Sequence, residues 1–199
     1  VGGTVLQSNN PDAARVLAQD PSNLVRYLIV DQGSEDGIEV GMPVVLPQGL
    51  VGRIMEVGNK WSRVLLITDP TSSVNAVIQS SRATGVIQGF ENGMLIMKYL
   101  PQAESVQVND LVLTSGIGGS FPKRLVIGQV IEVRRRDTDL FQEAVVKPSV
   151  DFNRIEFLLV VKKFTPTDIT TEPTPTPTRT PTKAPTGVPG VTATPAPPQ

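Results

Sequence analysis

Two stretches of this chain repeat themselves. Residues 38–45 read IEVGMPVV, and residues 106–113, 68 positions later, read VQVNDLVL. Residues 50–57 read LVGRIMEV, and residues 126–133, 76 positions later, read VIGQVIEV. Both copies run in the same order: a turn, a strand, a loop and a second strand. The second copy has eight more residues in its loop, which holds Gly116, Gly118 and Gly119, followed by Phe121 and Pro122. A unit that recurs in order predicts two similar β-modules in series.

The rest of the chain fits that frame. Residues 24–31 (LVRYLIVD) are mostly apolar on both faces, as in a barrel wall. Asn92-Gly93 is a hairpin signal. Counting strands between turn residues gives about eleven, and no helix. The predicted fold is all-β, with two small β-barrels in series. A lead-in covers residues 1–12, the first barrel 13–76 and the second 77–164, and the strand at 157–161 is free to pair with either. Gly41, Gly52, Asn109, Asp110, Gly116, Gly118, Gly119 and Gly128 are the turn and bulge positions of this scheme. Residues 165–199 hold ten prolines, twelve threonines and no aromatic. They cannot bury a core and are expected to form a disordered, extended stalk.

Composition excludes several kinds of chemistry. The net charge is −1, so nothing points to nucleic acid. There is no cysteine, hence no disulfide frame or thiolate metal site. There is no histidine, hence no ordinary general base. Ser115 precedes a glycine but reads as a turn residue, because a nucleophilic serine needs a neighbouring base. The acidic run DQGSEDG at 31–37 lacks the spacing of a calcium loop. Glycine-rich SGIGG is followed by a proline and a strand, so it cannot cradle phosphate at a helix start. Asp137 and Asp139 sit among Arg134, Arg135 and Arg136, a solvated strand end. No cofactor or metal is expected. The one tryptophan, Trp61, lies in a turn and either caps a barrel or joins a contact surface. No stretch approaches a membrane helix in length.

One family resemblance covers residues 15–162. TSGIGGSFPKRLVIGQV at 114–130 resembles the C-terminal signature of MreC, a bacterial cell-shape family. DQGSEDGIEVGMPVV, GLVGRIMEVG and SRVLLITDPTSSVNAVI resemble the rest of its extracytoplasmic domain, in order. Two positions depart from the pattern. Asn109 and Arg124 stand where the family usually has glycine. Asparagine tolerates a left-handed backbone, so the first turn is expected to survive; Arg124 is expected to need an ordinary backbone.

The resemblance implies two barrels arranged as in chymotrypsin-like proteases, without the catalytic residues. It implies a preceding cytoplasmic tail, membrane helix and coiled coil, hence a location outside the cytoplasmic membrane. It also implies self-association as a dimer or filament, assembly with MreB, MreD and RodA, and binding and activation of the elongation-specific class B penicillin-binding protein. Such binding would use exposed apolar loops or a free strand edge. Phe121 beside the glycine turn and Phe90 at the tip of GVIQGFENG are candidate contacts, or else barrel plugs. The alternatives are an envelope polysaccharide- or peptide-binding module and a histidine-free hydrolase acting through Ser115.

Overall fold

The computed structural model describes residues 13–19, 25–135 and 139–162. The lead-in at 1–12, the tail at 165–199, and Arg136 and Asp137 lie outside them. Twelve strands form: β1 (Ala13–Gln19), β2 (Tyr27–Val30), β3 (Pro43–Leu46), β4 (Gly49–Val57), β5 (Ser62–Leu66), β6 (Ser73–Ile78), β7 (Thr84–Gly89), β8 (Leu95–Pro101), β9 (Leu111–Thr114), β10 (Val126–Arg134), β11 (Phe141–Pro148) and β12 (Phe157–Val160). Helical structure among the described residues is limited to three short 3-10 turns.

The strands close into two antiparallel six-stranded barrels. Around the first the order is β1-β12-β3-β4-β5-β2; around the second it is β10-β11-β8-β7-β6-β9. The predicted all-β double barrel is what forms. Closure uses up the strand edges that would otherwise invite pairing with another chain, so docking through a free edge is not a general option here.

The repeat is reproduced bond for bond. The Gly41 N–H donates to the Ile54 carbonyl at 2.8 Å, and the Ile54 N–H to the Met42 carbonyl at 2.9 Å. In the second barrel the Asn109 N–H donates to the Val130 carbonyl at 2.8 Å, and the Val130 N–H to the Asp110 carbonyl at 2.9 Å. Gly41 and Asn109 are both left-handed, at φ 92° and 74°. Asn109 therefore does the work of a glycine. Asp110 adds a side-chain brace, accepting from the Gln107 N–H at 2.8 Å and the Ser80 hydroxyl at 2.7 Å. Gly41→Val forces a β-branched residue into that backbone region and is expected to cost about 2–3 kcal/mol. Asp110→Ala, which loses exposed hydrogen bonds, is expected to cost about 1 kcal/mol. Urea titration of the two variants checks the order.

Two expectations, the domain boundary and the Arg124 backbone, are corrected, and the strand left open between the barrels is placed. The boundary at 76/77 cuts through β6, which lies wholly in the second barrel; Val77 pairs with Thr84 there just as Ala76 pairs with Gly85. The strand at 157–161 joins the first barrel, between β1 and β3. Arg124 does not keep an ordinary backbone but sits at φ 68°. Two hydrogen bonds hold it there: its N–H donates to the Thr114 carbonyl at 3.0 Å, and the next N–H, on Leu125, to the Thr114 hydroxyl at 2.9 Å. With the guanidinium exposed, the turn sets the conformation and the side chain follows.

Each barrel has its own core. Leu28, Val44, Ile54, Val64 and Leu158 fill the first, and Ile87, Leu95, Met97, Leu100 and Ile127 are among those filling the second. Each such side chain contributes about 1.5–3 kcal/mol by burial. Leu50 and Ile67, from the first module, pack into the second core, and Phe152 packs against both.

Candidate protein-interaction surface

A joint between the barrels is built around Asp69, at the start of the crossing from β5 to β6. Asp69 is fully buried. Its carboxylate accepts from the Arg26 N–H at 2.6 Å, the Thr71 N–H at 2.7 Å, and the Thr71 hydroxyl. The Arg26 guanidinium then donates to the Thr68 carbonyl at 3.0 Å and reaches the Phe90 carbonyl at 3.5 Å. Strand β7 ends against this backbone, since a side chain on Gly89 would overlap Thr68. Beside the joint opens a cleft of about 740 Å³, lined in part by Arg26, Tyr27, Met94, Lys147, Asp151 and Phe152. A protease of this architecture would work in such a cleft, but this chain has no histidine or cysteine to place there. Among the described residues no group of three acids could hold a metal ion.

The sequence candidates scatter. Phe121 is only 5% exposed and belongs to the second core, so it is a plug and not a contact residue. Phe90 is half-buried at the joint; its N–H donates to the Met94 carbonyl at 2.8 Å, and the Arg134 guanidinium lies 5.6 Å from its ring. Trp61, 36% exposed, sits in the β4–β5 turn, with its indole against Gly58 and the Arg63 guanidinium 6.0 Å away. The glycine turn is a fixed loop, with Gly116, Gly118 and Gly119 all left-handed. It is pinned to β6 by the Asn75 amide, which donates to the Ile117 carbonyl at 3.0 Å, and by the Ser115 N–H on the Asn75 carbonyl at 2.9 Å. Ser115 is thereby a turn residue, its hydroxyl accepting from the Ile117 N–H at 3.1 Å.

The structure adds a surface that the sequence reading missed. On the outer wall of the second barrel, Tyr99 and Phe141 meet edge to face, with centroids 6.0 Å apart and planes at 83°. Tyr99 is 60% exposed, Phe141 48%, and the adjacent Leu140 85%. The β8–β11 register shifts between Gln142 and Ala144, and Tyr99 takes φ 61° in that bulge. A bulky residue in the left-handed region is costly by about 1–2 kcal/mol. The surroundings are stiff enough to impose it. Buried Gln142 donates to the carbonyls of Pro101 (2.9 Å) and Glu104 (2.8 Å), and accepts from Arg135 Nε at 2.6 Å. Nearby, Arg134 donates to Glu132 at 2.8 Å, and that hydrogen bond holds the Glu132 carboxyl below its ordinary range.

A family model described as "Rod shape-determining protein MreC, barrel core" matches residues 16–162. The chain belongs to the MreC family. Its cell shape-determining relative from Listeria monocytogenes is 31% identical over 172 residues, which cover 84% of this chain and 58% of the relative. The chain spans about half the length of the relatives it matches. A solved MreC structure from Listeria monocytogenes is 31% identical, with a TM-score of 0.74, over 80% of this chain and 78% of that one. A complex between a penicillin-binding protein (PBP2) and MreC from Helicobacter pylori shares the fold at a TM-score of 0.61 and 16% identity, over 76% of this chain and 96% of that chain. Membership of the MreC family, inferred above from four stretches of sequence, is thereby established for the barrel core.

Proposed function

We propose that this chain is the extracytoplasmic, non-catalytic scaffold domain of a rod shape-determining protein. In the full protein it is held at the cytoplasmic membrane by an N-terminal helix. It self-associates and binds the elongation-specific class B penicillin-binding protein within an assembly that includes MreB, MreD and RodA. The observation that carries the partner-binding role is the Tyr99–Phe141–Leu140 patch. It is apolar, exposed and aromatic, and it is held in a strained bulge by a buried polar brace. Large aromatics presented on a stiff support are typical anchors of protein interfaces. The Helicobacter pylori complex supports the choice of partner. Activation would follow by contact: a scaffold that binds one conformation of the synthase better than another shifts its population by that difference in affinity.

Binding of the chain to the ectodomain of the same organism's elongation-specific class B penicillin-binding protein, by biolayer interferometry, tests this. Tyr99→Asn keeps a residue that tolerates the left-handed backbone but removes the ring. Combined with Phe141→Ala, it is expected to weaken binding about 30-fold or more, with the melting temperature unchanged or raised. Phe90→Ala and Trp61→Ala probe other faces. Loss of binding in those two with none in the patch variant would move the surface away from Tyr99.

A further inference from the structure

The two barrels match strand for strand, but their sixth strands come from different places. Starting from the equivalent pair β3 and β9, the barrels read β3-β4-β5-β2-β1-β12 and β9-β10-β11-β8-β7-β6. Strands β1 to β5 therefore correspond to β7 to β11, and β12 corresponds to β6. The chain makes β1 to β5, and its next strand, β6, leaves to close the barrel that follows. It then makes β7 to β11, and its next strand, β12, has no following barrel and turns back to close the first.

We propose that β12 is exchangeable between copies of this chain. In the exchanged form it closes the first barrel of the next copy, as β6 already closes the next barrel within the molecule. This names a mode for the self-association proposed above and rests on that reading. The partner is a second copy of the same chain, and the surface is the slot between β1 and β3.

Three features of the slot support exchange. The strand that fills it is short and thinly held. Its register partners are three on β1, through Phe157, Leu158 and Leu159, and two on β3, through Leu159 and Val160, with one further bond from the Val161 N–H to the Pro43 carbonyl at 2.9 Å. By contrast, β10 and β11 pair from Gly128 to Arg134. The seam with β1 is also incomplete. After the Val16 N–H donates to the Glu156 carbonyl at 2.9 Å, β1 continues to Gln19 with no partner strand on that side among the described residues. A groove of about 340 Å³ opens there, lined by residues 15–19 and 155–157, with Leu17 exposed. Finally, the segment 149–156 that carries β12 across is the natural hinge: Ser149 is anchored to Ile127 and Phe152 packs on both cores, so the strand beyond can leave without opening either barrel's other seams. Exchange conserves every contact of β12, so the two forms differ mainly in hinge conformation and in effective concentration. Because donor strand and acceptor slot are different surfaces, exchange runs head to tail and is open-ended.

The absence of cysteine makes the test clean. Ala13 and Leu159 are register partners across the seam, as are Arg15 and Phe157. Directly opposed residues in an antiparallel pair lie at a spacing that a disulfide can bridge. Ala13→Cys and Leu159→Cys are placed in separate copies of this 199-residue chain. The two are mixed, held below the melting temperature, oxidised, and run on a non-reducing gel alongside analytical ultracentrifugation. A heterologous disulfide above the level set by collision then requires β12 of one copy to lie beside β1 of another. The expected result is a cross-linked dimer about tenfold above a control mixing Leu159→Cys with Ser80→Cys, rising with concentration. Arg15→Cys with Phe157→Cys repeats the test should the first pair perturb folding. Cross-linking at the control level overturns exchange. If sedimentation still shows association, self-association stands and only the mode fails; if it shows none, both fail.

Discussion

Gly128→Ala is expected to remove a large share of the folding stability of this chain. Gly128 lies in β10 opposite Pro148, at a register shift in the β9 pairing. A methyl group there would overlap the Lys147 carbonyl of the neighbouring strand. Gly52, the same position in the first barrel, would overlap the Leu65 carbonyl in the same way. Both clashes are with backbone that is itself bonded into a ladder, so neither can be relieved by rotating a side chain. Strand separation would have to grow, and each substitution is expected to cost about 4 kcal/mol or more, the range reserved for core disruption. Gly37→Ala supplies the control. Gly37 is left-handed at φ 76°, but a methyl there meets nothing within 4 Å. It should cost only the backbone term, about 1 kcal/mol. Urea unfolding with linear extrapolation separates the cases, and equal losses for Gly128→Ala and Gly37→Ala would remove the close-approach argument.

Asp69→Ala should be the most damaging loss of a side chain outside the apolar cores. The carboxylate is fully buried and accepts two backbone N–H groups and a hydroxyl. Removing it leaves the N–H of half-buried Arg26 without its partner, while the N–H of exposed Thr71 must exchange the carboxylate for water. An orphaned donor costs about 1–3 kcal/mol and a bond exchanged for water about 1 kcal/mol, so about 2–4 kcal/mol is expected in total. Asp69→Asn keeps one acceptor oxygen and should recover roughly half of that. The loss has a second consequence, because Arg26 also ties the first barrel to Thr68 and Phe90. Limited proteolysis of Asp69→Asn should therefore cut first between β5 and β6. Cleavage confined to other loops would show that the joint does not depend on Asp69.

Much of the fold is legible because its signals are local. Alternation and turn residues mark strands, and the 68- and 76-residue offsets mark equivalent turns down to Gly41 and Asn109. What escapes is what depends on distant partners. Nothing in FLLV, alternately half-buried and buried in β12, says which barrel it closes; the slot that accepts it is set by β1 and β3, more than a hundred residues away. Arg124 and Tyr99 carry no preference for a left-handed backbone, so their conformations follow from the ladders and turns around them. Phe121 looks like an exposed loop residue because it neighbours glycines, yet the turn folds it inward. The aromatic patch is illegible for the same reason: Tyr99 and Phe141 are 42 positions apart and meet only across a bulge whose register no local pattern fixes.

The placement of β12 also decides the order in which the molecule can be finished. The second barrel is assembled from one continuous run, Ser73 to Pro148, and can close as soon as that run is available. The first cannot, although five of its strands are made earliest; it waits for Phe157–Val160. A chain delivered from its N-terminus therefore completes its later barrel first and its earlier barrel last, through the pairing of greatest sequence separation. During that interval β1 and β3 stand with open edges. The capture of one four-residue strand is expected to be the last step of folding, and a chain cut short before residue 157 is expected to keep a closed second barrel beside a first that cannot close.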